Sequence, residues 1–234
     1  MKLRFVGISS SPKKERNTDY LIKAALEAAR KVVVDKYKDI EVEIELLSLA
    51  CKNIKGCIDC GACVRKGTLC VIKDDWYDCI KYLIDPVPDG VIIGSPVYFF
   101  STNAQLRAFM ERCTCLFKQA WHKEFPITPP DWTKTAAGAV TVGAHRHGGE
   151  ENAALNIISW FLSTGFVSVG SFSIEDGPVG YIAGTAWTGC EEGKGKEPPV
   201  SGDKFGLHAV ELLGTRVGET ALRLHLGELS LNKR

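Results

Sequence analysis

Val91-Ile-Ile-Gly94-Ser-Pro-Val-Tyr98-Phe-Phe-Ser101 joins a short, wholly apolar run to a loop of small and aromatic residues. Apolar residues without polar alternation mark a strand buried on both faces, at the middle of a parallel sheet. Open α/β sheets hold ligands at the carboxyl ends of such strands. Tyr98, Phe99 and Phe100 there suit a flat ring, and they equally suit a core packed beneath a loop. A helix is expected from about Asn103 to Phe117.

Working outward, the chain repeats this unit. Lys2–Ile8 reads as a strand and Thr18–Val34 as a helix with Asn17 as its cap. The link, Ser9-Ser-Ser11-Pro-Lys13-Lys-Glu-Arg-Asn17-Thr18, combines hydroxyls, lysines and a helix N-terminus, which is the make-up of an anion site or of a solvated polar turn. Neither G-x-x-x-x-G-K-[ST] nor G-x-G-x-x-G occurs, which disfavours a P-loop nucleotidase and a dinucleotide-binding Rossmann enzyme. Ile40–Leu47 alternates acids with aliphatics, as a half-exposed edge strand does. Asp74-Asp75 can cap a helix through Leu83, ended by Pro86 and Pro88, and Trp121–Trp132 reads as a connecting loop.

Toward the carboxyl end, Thr135–Val142 is a fourth strand, running into Gly143-Ala-His145-Arg-His147-Gly-Gly-Glu150. A helix spans about Glu151 to Ser163, and Val167–Gly170 is a fifth strand. Residues 171–202 are rich in glycine and proline and lack periodicity, so a long excursion is expected there, of the kind that serves function or a subunit contact. A helix from Asp203 to about His225 closes the chain. Five strands alternating with helices, the acid-rich strand second, describe a flavodoxin-like doubly wound parallel sheet of order 2-1-3-4-5.

With 234 residues and 45% hydrophobic content, one domain over 1–234 is expected. A net charge of +1 supplies no field to attract nucleic acid or an anionic membrane. The chain starts directly on a strand and holds no apolar run near the ~18 residues of a membrane span. A cytoplasmic protein with small-molecule partners is expected.

Four of the nine cysteines fall in one window, Cys57-Ile-Asp-Cys60-Gly-Ala-Cys63-Val-Arg-Lys-Gly-Thr-Leu-Cys70, within a cysteine-rich loop over 51–73. The spacing C-x2-C-x2-C-x6-C lets one segment wrap a compact inorganic core, as in ferredoxins. Gly61 and Gly67 give the backbone freedom to do so. Zinc also accepts four thiolates, but its ribbon sites split into two distant C-x2-C pairs, and ordinary reduced thiols in a loop are the third reading. Cys51, Cys79, Cys113, Cys115 and Cys190 read as structural thiols; Cys113 and Cys115, two apart on a helix, cannot face one partner together. His145-x-His147 lacks a third ligand and is discounted as a metal pair, and His122, His208 and His225 read as surface residues.

Residues 7–18, 94–99 and the cysteine window running into Cys70-Val-Ile-Lys-Asp-Asp75 resemble the iron–sulfur flavoproteins of the NADPH-dependent FMN reductase superfamily. His147-Gly-Gly-Glu150 and Ile182-Ala-Gly184 resemble its quinone-reductase branch. The likeness spans most of the chain and is weakest over 118–134 and 171–200. It implies that Ser9, Ser11, Lys13, Asn17 and Thr18 hold the FMN phosphate, with Lys13 where the family usually has arginine. It places Pro96, Val97, Tyr98, Phe99, Thr141, Gly143, Ala144, His145 and Gly148 around the flavin ring. His147, among glycines that let the backbone approach the cofactor, would position a quinone or supply a proton. Cys57, Cys60, Cys63 and Cys70 would ligate a [4Fe–4S] cluster. The implied protein is an FMN-dependent electron-transfer oxidoreductase, a homodimer or homotetramer, taking electrons from a small molecule or a ferredoxin and passing them to a quinone or similar acceptor. Its rivals are a cluster-free NAD(P)H-dependent FMN or quinone reductase and a flavodoxin-like electron carrier.

Overall fold

The computed structural model describes residues 1–121, 128–145, 147–189 and 197–231, with the backbone alone at 119–121. His122, Cys190, the side chain of Trp121 and parts of the 118–134 and 171–202 segments therefore lie outside the described residues.

The elements follow in the order β1 (Lys2–Ser9), α1 (Asn17–Lys36), β2 (Glu41–Ser48), α2 (Ala62–Lys66), α3 (Trp76–Ile84), β3 (Gly90–Tyr98), β4 (Ser101–Thr102) and α4 (Ala104–Arg112). A 3-10 stretch over Cys113–Trp121 comes next, then β5 (Ala136–Gly143), α5 (Glu150–Thr164), β6 (Val167–Ser168), β7 (Ser171–Ser173), β8 (Gly177–Tyr181), β9 (Gly184–Trp187) and α6 (Lys204–Leu231). The main sheet has the order β2-β1-β3-β5-β6 with these strands parallel, as the sequence led us to expect.

Side-chain alternation along the strands sorts the core into two halves. Leu3, Phe5, Ile92 and Val140 pack on one face beneath α1 and α6, whereas Val6, Ile8, Val91, Ile93 and Ala139 pack on the other with α3, α4 and α5. The second half is extended by an aromatic group in which the Trp132 ring stacks 4.6 Å from that of Phe166, with Trp160 beside both.

Three expectations are corrected. The fifth position is shared by two short strands, because β6 pairs only with the start of β5 and β9 pairs with its end. The 171–202 segment is no bare excursion: β7 and β8 form an antiparallel hairpin, β9 joins the sheet, and residues 199–202 form a 3-10 turn. Its strands are too short and glycine-rich to show a period. Asn17 does not cap α1; the cap position is Arg16, and the Asn17 Oδ1 accepts the Val200 N–H at 3.3 Å, which fastens the returning chain onto the first loop.

Candidate functional site

The ends of β1, β3 and β5 form one tightly bonded ledge. Ser9, Ser10 and Ser11 are buried. The Ser9 hydroxyl donates to the buried Asp19, whose second oxygen accepts the Glu15 N–H at 2.8 Å. Ser9 is thus committed to shaping the loop, and its proton does not reach toward a ligand. The Ser11 hydroxyl turns the loop by accepting from Lys13 N at 3.1 Å and donating to Lys13 O at 2.9 Å. Lys13 is exposed, Thr18 buried and Asn17 half-buried. The first-turn N–H groups of α1 have no intrahelical acceptor, so this end of the helix favours an anion. Ser10 N bonds Gly94 O at 2.9 Å, and the buried Asn103 donates from Nδ2 to Ser10 O at 2.6 Å while its Oδ1 caps α4 through Leu106 N. Asp19 and Asn103 were missed in the sequence because one polar residue in a first helical turn carries no sign of its distant partner.

Beyond the ledge, the loop after β3 is exposed. Tyr98, Phe99 and Phe100 are not core residues: Phe99 is fully open to solvent, and the other two are more than half exposed. Phe99 and Phe100 also have positive φ, 46° and 68°, as does His147 at 56°. Such backbone costs about 1–3 kcal/mol per residue and collects at functional sites. The loop is tied down by Asn152 Nδ2 donating to Phe100 O at 2.7 Å. Pro96 and Val97, at the end of β3, lie beside Val142 and Thr102 respectively.

The loop after β5 makes the third side. Thr141 is buried, its hydroxyl donating to Glu150 O at 3.1 Å. Gly143 leaves room for the buried Glu150 carboxylate, whose Oε1 would lie 2.0 Å from any Cβ there. Ala144, His145 and His147 are exposed and Gly148 half-buried. Trp187, at the end of β9, donates from Nε1 to Ala144 O at 3.0 Å and sits at this corner. The structure therefore brings Ser11, Lys13, Asn17, Thr18, Pro96–Phe99, Thr141–His145 and His147–Gly148 to one end of the sheet.

The cysteine loop lies elsewhere. It leaves edge strand β2 and is drawn across to the start of α4, where Gln105 Nε2 donates to Leu49 O and Lys52 O at 3.2 and 2.6 Å. Gly61 and Gly67 flank α2 with φ of 62° and 58°, the left-handed conformation that lets the chain turn sharply on either side. Cys57, Cys60, Cys63 and Cys70 line a single pocket. The Asp59 N–H points at Cys57 Sγ from 3.4 Å. Cys115 is a buried core residue like Cys79 and Cys113, and it also lines this pocket. Burial pushes the Cys115 thiol up to about 12, reinforced by Cys70 and Cys63 and opposed by the Cys70 N–H. Among the described residues, no three Cys, His, Asp or Glu side chains close on a metal-binding point. The donor set nonetheless fits a thiolate-bound cluster in its chemistry: four thiols of one loop lining one pocket, a backbone N–H directed at sulfur, and a buried cation, Arg112, in the lining.

The loop is held from below by charge. Asp74 and Arg112 have side chains only 1% exposed and pair at 2.7 Å. Asp74 also accepts the N–H of Lys55 at 2.9 Å and of Trp76 at 3.1 Å, and Asp75 accepts that of Asn53 at 2.7 Å. Asp75 stands at the N-cap position of α3 without a side-chain capping bond, which corrects the expected cap; the two acids anchor the cysteine loop instead. Burial alone would raise the Asp74 carboxyl, but Arg112 and the two N–H donors outweigh it and hold the group below its usual range.

Residues 3–178 match the model of the NADPH-dependent FMN reductase family. An iron–sulfur flavoprotein of Methanocaldococcus jannaschii is 34% identical over 93% of this chain and 96% of its own. An iron–sulfur flavoprotein of Methanosarcina thermophila is 30% identical over 81% of this chain and 85% of its own. Among solved structures, a flavodoxin, WrbA-like protein of Agrobacterium tumefaciens superposes with a TM-score of 0.53 at 18% identity, covering 94% of this chain and 98% of its own, a likeness of fold alone. The sheet order and these matches agree, and the chain belongs to the NADPH-dependent FMN reductase family, among its iron–sulfur flavoproteins.

Proposed function

We propose that this FMN-dependent oxidoreductase binds a [4Fe–4S] cluster through Cys57, Cys60, Cys63 and Cys70 and exchanges electrons between it and FMN. The carrying observation is that all four thiols line one pocket of a flavoprotein-family chain. Bound FMN supplies chemistry that takes up electrons and releases them singly or in pairs. The residues around it would divide the work as follows. Ser11, Lys13, Asn17, Thr18 and the first turn of α1 hold the phosphate, while Ser9 acts through Asp19 to fix the loop. Pro96, Val97, Tyr98, Phe99, Thr141, Gly143, Ala144, His145 and Gly148 border the ring and keep water from one edge. His147 positions the acceptor and hands it a proton.

A ferredoxin-type or small-molecule donor and a quinone-like acceptor suit this arrangement, in a cytoplasmic homodimer or homotetramer. The exposed Tyr98–Phe100 loop, with Phe172, Ile174 and Tyr181 on the β7–β8 hairpin, is the kind of apolar surface that assembly covers. Among the described residues, no helix is long and apolar enough to cross a membrane.

The test is iron, acid-labile sulfide and flavin analysis of protein purified without oxygen, followed by reduction with ferredoxin or NADPH. Iron and sulfide with ferredoxin-linked flavin reduction is the expected result. Flavin without iron but with NADPH turnover would identify the cluster-free reductase, and flavin without turnover the carrier.

A further inference from the structure

Arg112 ends α4 and is 1% exposed. Its Nη1 donates to Asp74 Oδ2 at 2.7 Å and Lys55 O at 3.0 Å, its Nη2 donates to Ile72 O at 3.1 Å, and the guanidinium lies 5.1 Å over the Trp76 ring. Its Nε is buried with no partner. An unmatched donor on a buried charge is expensive, and proteins rarely keep one without use. The same side chain lines the cysteine pocket, with Cys70 within reach of the guanidinium. A neutral thiol is a weak acceptor, whereas a metal-bound sulfur carries negative charge and accepts strongly.

We propose that Arg112 is the charge-compensating residue of the cysteine site, donating to the metal-bound sulfur of Cys70 and thereby holding the reduction potential of the cluster up. The inference rests on the cluster reading above. Four thiolates outweigh the charge of an iron–sulfur core, so the site is anionic before an electron arrives and gains one further negative charge when it does. Arg112 stabilises the reduced form more than the oxidised one, because a fixed cation in a poorly solvated wall interacts more strongly with the greater charge. The electron enters from the one-electron donor protein and leaves to FMN, with no bond or proton changed at Arg112. Asp74 works against this effect by neutralising the guanidinium from its other side, so the pair sets the net field at Cys70.

The experiment is a redox titration of the cluster, followed by electron paramagnetic resonance, on the full holoprotein. Asp74→Asn/Arg112→Gln replaces the ion pair with a neutral amide pair, which removes both charges together and leaves no buried ion without its partner. It should lower the equilibrium constant for cluster reduction at least tenfold, a drop of about 59 mV for one electron. Arg112→Lys, which keeps the charge, should stay near wild type. Asp74→Asn alone should move the potential upward, and this variant tests the idea even if the double variant holds no cluster. An unshifted potential in an iron-loaded double variant, a shift in Arg112→Lys equal to that of the double variant, or an unchanged or lowered potential in Asp74→Asn would overturn the role of Arg112 while leaving the cluster in place. Wild-type protein without iron would overturn the cluster reading and this inference together.

Discussion

The ledge at the sheet end and the cysteine loop are both candidate cofactor sites, yet they are built in different ways. At the ledge, Ser9, Ser10, Ser95, Asn103 and Thr141 are buried and bonded to one another, to the end of β3 or to the first turns of α1 and α5, so the shape is fixed before a ligand comes. In the cysteine loop, α2 has no buried residue and Cys57 and Cys60 are exposed. Its backbone is anchored at its two ends by Asp74, Asp75 and Arg112, while its centre is open. A site of the first kind is preorganised by the sheet. A site of the second kind is completed by what it binds, and metal ligation then becomes part of its folding energy.

The largest break of this contrast comes from the thiols themselves. Cys60→Ala or Cys63→Ala should abolish iron and sulfide binding while flavin content and circular dichroism stay at wild-type values; parallel loss of flavin would show that the two sites fold as one. Next is the anchor. Asp74→Ala strands a buried guanidinium, and losing one partner of a buried pair costs about 3–5 kcal/mol. Urea unfolding should show that loss, and hydrogen exchange should speed first in residues 53–73, ahead of the ledge.

On the ledge, His147→Ala should cut acceptor reduction by about 10²- to 10⁴-fold, the usual worth of general acid help. Stopped-flow traces would locate the loss after flavin reduction, and an unchanged rate would make His147 a bystander. Ser11→Ala/Asn17→Ala should weaken FMN but not riboflavin, by about 1.5–3 kcal/mol per hydrogen bond to the charged phosphate. Isothermal titration of both ligands decides it, since equal losses would mean that the loop had collapsed instead.

The smallest effect is on pH. The Asp74 carboxyl titrates below its unfolded value, so its contribution to stability is present above an unfolded pKa of about 3.9 and fades as pH falls through the lower folded value. Asp74→Asn should therefore flatten the stability profile between about pH 5 and pH 2, measured by urea midpoints. A profile unchanged by the substitution would remove Asp74 as the acid-sensitive anchor.

Much of the ledge was legible because its signals are local. Ser11, Lys13 and Thr18 sit in one short link between a strand and a helix, and Gly94 and Gly143 each lie at the end of an apolar run. The anchor of the cysteine loop was not legible. Arg112 lies in a helix whose neighbours Arg107 and Glu111 are solvent-exposed, so nothing in the sequence marks it as the one turned inward. Cys115 was read away from the window for the same reason: a helix was expected through it, whereas α4 stops at Arg112 and the 3-10 stretch that follows turns Cys115 toward the pocket.

By itself the sequence determined the main strands and helices in their order along the chain, the half-exposed character of β2, the three loops that follow strands and the four clustered thiols. Each depends on the period or spacing of adjacent residues, which the chain carries wherever it folds. Only the tertiary structure decided that Ser9 serves Asp19, that Asn17 holds Val200, that β9 completes the sheet beside β5, and that Asp74 and Arg112 carry the cysteine loop between them. Those pairings join residues far apart in the chain, and a buried polar group takes whichever partner packing brings to it.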